Sequence, residues 1–249
     1  MPRLPIRAAA LMALACAAFA PLPAAAQQPT TPEQKAAIEQ IVREYLIRNP
    51  EVIVEAMQAL ELREQKARLE AQRLGLVEHR KEIFEDPEAP VLGNPQGDVT
   101  LVEFFDYQCG YCKSVFPDLQ RLIKADGKVK VVLKELPILG PASVTAAKAS
   151  LAARLQGKYV PFHVALMELR GQLDDAKIFR AAEAVGLDVE RLKRDMEEPT
   201  IAAHLTRNIQ LADALQINGT PAFIAGDRLI PGAVPLDRLL ELVRAQRAG

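Results

Sequence analysis

Apolar residues recur along this chain at two spacings, and the change between them divides it. Ile38, Ile41, Val42, Tyr45 and Leu46 fall at i, i+3, i+4, i+7 and i+8, one face of a helix that begins near Glu33. Asn49 is placed to cap a second helix with Pro50 at its first position. Val52, Ile53, Ala56, Met57 and Leu60 continue the stripe. From Glu61 the chain is dense in Glu, Lys, Arg and Gln. Leu62, Leu69, Leu76 and Ile83 recur every seven residues, but the partner positions are Gln65, Gln72 and His79. A sustained coiled coil needs both seams apolar, so this stretch reads as a solvated helical stalk. Residues 86–98, DPEAPVLGNPQGD, are rich in Pro and Gly and read as a boundary.

Beyond the boundary the pattern changes. VTLVEFFD, 99–106, is an apolar run that reads as a buried strand. A helix follows, starting near Cys109, clear from Lys113 to Ala125 and ending near Gly127. VKVVLKEL, 129–136, is a second strand, so strand, helix and strand suggest a parallel βαβ unit. Residues from about 141 to 216 then carry helical patterns, with Gly157, Gly171 and Gly186 as punctuation and Ser143, Asp174 and Asp188 as caps. That is too long for one crossover helix and predicts a helical subdomain. PAFIAGDRLIPG, 221–232, reads as a hairpin turning at Gly226-Asp227. Residues 235–247 form a last amphipathic helix. The class is α/β.

Composition narrows the setting. The chain has 249 residues, 49% hydrophobic and 25% charged, enough for a packed core. A formal net charge of -1 argues against nucleic acid or an anionic membrane surface as the main partner. The start, MPRLPIRAAALMALACAAFAPLPAAAQQ, has Arg3 and Arg7, an apolar run at 8–20 too short to span a bilayer, and Ala24-Ala25-Ala26 before Gln27. It reads as a secretory signal peptide over 1–26, cut after Ala26. The alternative is a lipoprotein anchored at Cys16, for which Ala13 stands where a larger aliphatic residue is usual. Residues 27–32 read as a disordered leader. The mature chain then keeps two cysteines, Cys109 and Cys112, in an oxidising compartment. No later apolar run is long enough for a membrane helix.

Those two lie three positions apart in FFDYQCGYCKSVFPDL, 104–119. A disulfide closing so small a loop constrains the unfolded chain little, so it is a poor staple. A zinc site would need a second pair of ligands, and the three histidines, His79, His163 and His204, are widely separated. Redox chemistry remains. A helix starting near Cys109 offers its sulfur unpaired N–H groups and the positive end of the dipole, which stabilise a thiolate. Cys109 reads as the nucleophile. Cys112, one turn on and less exposed, is suited to resolve a mixed disulfide.

Cys109-Gly110-Tyr111-Cys112 after a strand resembles the active site of the thioredoxin superfamily. Pro117, five residues after the second cysteine, and the turn Gly219-Thr220-Pro221 before AFI strengthen the match. With the signal peptide and the helical insertion, residues 90–249 are similar to the DsbA-like branch. The resemblance implies a cis peptide at Pro221, with Thr220 beside it pairing with substrate backbone. It implies that Glu103, an acid inside an apolar strand, moves a proton to and from Cys112; the alternative is a strand residue facing water. Gly110 and Tyr111 fill the positions that tune the redox potential, where DsbA itself has Pro-His. His163 reads as packing, His79 as solvated on the stalk and His204 as a helix-surface residue.

TPEQKAAIEQIVREYLIRNPEVIVEAMQ, in turn, resembles the N-terminal region of the suppressor-of-copper-sensitivity C (ScsC) group, which oligomerises, in some members as trimers. A helical hairpin of this size cannot bury both its apolar stripes alone; the alternative is that it packs on its own catalytic domain. The expected architecture is a signal peptide (1–26), an N-terminal helical oligomerisation region, stalk and linker (27–88), and a DsbA-like thioredoxin domain (89–249) with a helical insertion at about 141–216. The resemblance implies a periplasmic disulfide isomerase or reductase acting on unfolded or misoxidised secreted proteins. It implies a membrane thiol reductase as partner, and no cofactor or metal beyond the Cys109–Cys112 dithiol. The alternatives are a monomeric DsbA-like oxidase and a copper(I)-binding stress protein using the soft dithiol.

Overall fold

The computed structural model describes residues 31–248. Cys16, the signal peptide and most of the leader lie outside the described residues. The chain divides after Ala59 into two units.

The first unit holds helix α1 (Pro32–Arg48) and the beginning of α2 (Glu51–Glu78). Thr31 starts α1 with a capping box. Its hydroxyl accepts from the Gln34 N–H, and the Gln34 side chain accepts from the Thr31 N–H. No residue of α1 is buried. Ile38, Ile41, Val42, Tyr45, Ile53 and Met57 are all exposed, so the predicted stripes have no cover within the chain's own first unit. Asn49 does not cap α2 as expected. Its side-chain amide donates back to the Tyr45 carbonyl at 2.9 Å, closing α1 instead.

In the second unit, a five-stranded sheet has the order β1-β3-β2-β4-β5. β1 is Val91–Gly93, β2 Val99–Phe105, β3 Val129–Glu135, β4 Ala222–Ala225 and β5 Arg228–Pro231. β2 and β3 are parallel, as the βαβ pattern predicts, and the other pairs are antiparallel. Between the parallel strands runs α4 (Gly110–Asp126), ended by Gly127 in the left-handed conformation that a residue without Cβ adopts most easily. β1 lies inside the stretch read as a plain boundary. Its three residues are too few to show a period, and its pairing with β3 is non-local.

The helical insertion is α5 (Pro141–Ala153), α6 (Tyr159–Glu168), α7 (Asp175–Ala184), α8 (Val189–Asp195) and α9 (Pro199–Ala214). Asp174 and Asp188 cap α7 and α8 as expected. Ser143 does not cap α5. Gly140 precedes that helix with Pro141 at its first position, and the Ser143 hydroxyl donates to the Asp106 carboxylate at 2.7 Å. The predicted hairpin turns at Gly226, whose φ is 62°, and α10 (Leu236–Arg247) ends the fold.

The sheet is covered on both faces. Leu101, Phe105, Val131 and Leu133 pack one face against α4, α10 and the insertion. Val102, Phe104, Val132 and Ile224 pack the other against Leu211 of α9, Leu215 at its C-cap, Ile83 of α3 (Arg80–Phe84) and Leu76 of α2. Half of the weak heptad is thus core: Leu76 and Ile83 are buried, while Leu62 and Leu69 are exposed. His204 is also core, not helix surface, at 3% exposure. It shares the inward face of α9 with Ile201, Leu205 and Asn208, at the same i, i+3, i+4 spacing that buries them. Among the described residues no helix is long and apolar enough to cross a membrane.

Candidate active site

β2 leaves the core at Phe105, and the next five residues aim the site. Asp106 fixes this loop. One carboxylate oxygen accepts from the Gln108 N–H and the Ser143 hydroxyl, both at 2.7 Å. The other accepts from the N–H groups of Ile138 (2.9 Å) and Leu139 (3.0 Å). Four donors on one buried carboxylate offset its desolvation. They tie the β2–α4 loop to the β3–α5 loop. The Asp106 carbonyl accepts from the Cys109 N–H at 3.0 Å, so the strand end and the helix start are held together. Asp106 escaped the sequence reading because three of its four donors are 32 to 37 positions away.

Cys109 is the N-cap of α4. Its sulfur accepts the backbone N–H of Cys112 at 3.4 Å, the bond a capping oxygen makes elsewhere. Across the gap, the thiol donates to the Thr220 carbonyl at 3.2 Å. That contact favours the thiol, whereas the Cys112 thiol and N–H favour the thiolate. The thiolate side wins: hydrogen bonding from the Cys112 thiol, opposed by burial and helped by the Thr220 side chain and the cap N–H groups, lowers the Cys109 pKa to about 5. The residue is only 5% exposed, and Cys112 is fully buried. Burial first, then the bond to Cys109 and the nearby Glu103, pushes the Cys112 thiol far above its ordinary range. The pair is therefore split into one ionised and one protonated sulfur.

Thr220-Pro221 is a cis peptide. It brings the Thr220 carbonyl to the Cys109 sulfur across a separation of 111 residues. Gly110 and Tyr111, between the cysteines, are both exposed, Tyr111 to 71%.

Glu103 sits in the middle of β2, opposite Leu133 on one side and Phe223 on the other. It is fully buried, which removes the water-facing alternative. Neither carboxyl oxygen has a hydrogen-bond partner in the described residues. Burial first, and the Cys109 charge second, raise its pKa to about 8. Asp106 and Glu103 are buried acids three residues apart, yet only one is satisfied. An orphaned carboxyl beside a reactive pair is a neutral acid placed to exchange a proton with it.

A second buried polar cluster adjoins the site. The Tyr107 hydroxyl contacts the Ser150 hydroxyl (2.6 Å) and His163 Nδ1 (2.8 Å). Phe105, Tyr107, Phe116 and Tyr159 surround the His163 ring. Burial drops its pKa to about 3, so it packs as a neutral ring, as expected. His79 is half-buried at the α2–α3 junction and contacts Glu82 at 3.2 Å. Among the described residues no group of three or more His, Cys, Asp or Glu could hold a metal ion.

Comparison with known proteins agrees with this geometry. Residues 100–244 match the DSBA-like thioredoxin domain, and residues 34–67 match the copper resistance protein ScsC N-terminal domain. A thioredoxin-like oxidoreductase from Silicibacter pomeroyi superposes with a TM-score of 0.67 at 49% identity, covering 68% of this chain and 98% of that one. A linker-deletion mutant of Proteus mirabilis ScsC gives 0.68 at 28% identity, covering 90% and 99%. The disulfide bond formation protein D of Bacillus subtilis is 26% identical over 172 residues, 64% of this chain and 78% of that protein. The chain also matches Na(+)/H(+) antiporters NhaA, but spans only about a quarter of their length, 25% for that of Salinispora arenicola. The fold is therefore a thioredoxin fold with a helical insertion. The chain belongs to the DsbA-like thioredoxin family of thiol–disulfide oxidoreductases and carries an ScsC-type N-terminal domain.

Proposed function

We propose that this protein is a periplasmic disulfide isomerase and reductase that works as a homo-oligomer. The observation that carries the chemistry is the split pair: Cys109 ionised at a helix N-terminus and Cys112 protonated behind it. The Cys109 thiolate attacks one sulfur of a client disulfide. A new S–S bond forms to Cys109, and the other client sulfur leaves as a thiolate. In isomerisation a different client thiolate then attacks the client sulfur of that mixed disulfide, and Cys109 departs reduced. In reduction Cys112 attacks Cys109, and the client's second sulfur leaves. Cys112 must lose its proton for that step, and Glu103 is the acceptor. Forming the mixed disulfide removes the Cys109 charge that helps hold Glu103 protonated. The carboxyl then gives its own proton to solvent, takes up the Cys112 proton as that sulfur attacks, and gives it back when the dithiol is reduced again. Thr220 and Pro221 hold the client backbone, and Gly110 and Tyr111 set the potential.

The oligomer reading rests on the uncovered stripe of α1 and early α2, where large apolar side chains are roughly half accessible or more. Several dithiols on one assembly would raise their local concentration around a misfolded client. A membrane thiol reductase would keep Cys109 reduced, and no cofactor beyond the dithiol is needed. One observation favours the second reading, a monomeric oxidase. Stabilising the reduced form raises the reduction potential of a dithiol, and a Cys109 pKa of about 5 does so. Two measurements separate them: the solution mass of the mature protein, and the recovery of scrambled ribonuclease. An oligomer that restores ribonuclease activity supports the isomerase. A monomer that oxidises reduced clients but leaves wrong pairs in place rejects it.

A further inference from the structure

A cavity of about 720 Å³ in the second unit lies between α2 and the loop that faces Cys109. Its helical wall is Glu61, Glu64, Gln65, Arg68, Leu69 and Gln72. These positions follow i, i+3, i+4, i+7, i+8 and i+11, so they form one continuous face. Gln65 and Gln72, which spoil the heptad as a coiled-coil seam, are the side chains turned toward this cavity. The opposite wall contains Thr220, Pro221, Leu229 and Pro231. Because the Thr220 carbonyl accepts from the Cys109 thiol at 3.2 Å, the cavity begins within one residue of the reactive sulfur. α2 is anchored beside it by Leu76 and Gly75, both buried; a Cβ at Gly75 would come within 3.2 Å of the Leu215 side chain.

We propose that the polar face of α2 is a second wall of the client site, reading an extended segment of the client polypeptide while the Thr220 loop holds it next to the cysteine under attack. The inference rests on the thiol-exchange function above and adds a binding surface to it. Length fits an extended chain. Eleven helical steps at 1.5 Å cover about 17 Å, the reach of about five extended residues. The side-chain chemistry fits an unfolded client of varied sequence. Five of the six helical positions carry hydrogen-bonding groups, able to meet main-chain N–H and C=O whatever the side chains are. The facing wall is apolar at Pro221, Leu229 and Pro231. Among the described residues β5 is an edge strand, paired only with β4. Pro231 removes an N–H from that edge, which blunts simple strand addition and leaves recognition to α2. A second copy's apolar helix fits poorly, since Leu69 alone is apolar on the helical wall.

The test compares two disulfides in the full-length mature protein: oxidised glutathione, and a synthetic peptide carrying one cysteine as a mixed disulfide. Arg68→Glu and, separately, Gln65→Ala should raise KM for the peptide about fivefold by removing a hydrogen-bonding group. The ratio of the peptide rate to the glutathione rate should fall by the same factor. Arg63→Glu makes the same charge reversal on the opposite face of α2 and should leave that ratio at the wild-type value. Equal ratios in Arg68→Glu, Arg63→Glu and wild type would overturn the groove. So would a changed solution mass in Arg68→Glu, which would make this face a contact between copies. A wild-type protein inert towards glutathione disulfide would instead refute thiol exchange itself.

Discussion

Glu103→Gln offers a quantitative test of the acid beneath the dithiol. An ordinary glutamate titrates at 4.5, and burial with the Cys109 charge brings this one to about 8. At pH 7 the unfolded chain carries a charged carboxylate and the folded chain a neutral acid, so folding must take up a proton. At about 1.4 kcal/mol per pH unit, the two and a half pH units above 4.5 cost about 3 kcal/mol. The sign follows from the raised value. The folded state binds the extra proton, so the wild type keeps its full stability below pH 4.5 and loses it as pH rises toward 8. Glutamine cannot ionise and leaves its own amide as unpartnered as the protonated acid, so those costs largely cancel. The assay is urea unfolding of wild type and Glu103→Gln at pH 4.5 and pH 7, in reduced and in oxidised protein. The variant should gain about 3 kcal/mol on the wild type over that interval when reduced, and less when oxidised, because Cys109 then has no charge. Parallel stability–pH curves would refute a neutral buried Glu103.

Other expectations follow from the same site and from the core. Glu103→Gln should also lengthen the life of mixed disulfides, read by trapping with a cysteine-containing peptide on non-reducing gels. Cys109→Ser should abolish exchange, whereas Cys112→Ser should accumulate mixed disulfides; a Cys112→Ser protein that never accumulates them would reverse the assigned order. Leu76→Ala should cost about 2–5 kcal/mol in urea unfolding, since Leu76 is a buried residue of the sheet's second face. Deleting residues 27–60 should yield a monomer by light scattering that retains dithiol oxidation but loses ribonuclease recovery.

The parts of this fold that were legible in the sequence are those set by local chemistry. The apolar run of β2, the caps at Asp174 and Asp188, and the turn at Gly226-Asp227 each declare themselves within a few residues. Cys109 and Cys112 were visible because spacing alone limits what two lone cysteines can do. What escaped depends on contacts distant in sequence. β1 is three residues long and exists through pairing with β3. Ser143 resembles a cap, yet its hydroxyl donates to a carboxylate 37 positions earlier. His204 lies on a helix with two apolar flanks, and only the packing of α9 decides which flank faces inward. The groove beside α2 was hidden for the same reason. Gln65 and Gln72 read as interruptions of a heptad until the loop at Thr220 is set opposite them.

Alkylation of Cys109 by iodoacetamide as a function of pH bears most directly on the whole account. The helix N-terminus and Cys112 should let the rate reach half its maximum near pH 5 and stay flat from about pH 6.5 upward. A rate that instead climbs through about pH 8.5, as an unperturbed thiol's does, would show no stabilised thiolate and leave the proposed exchange chemistry without its nucleophile.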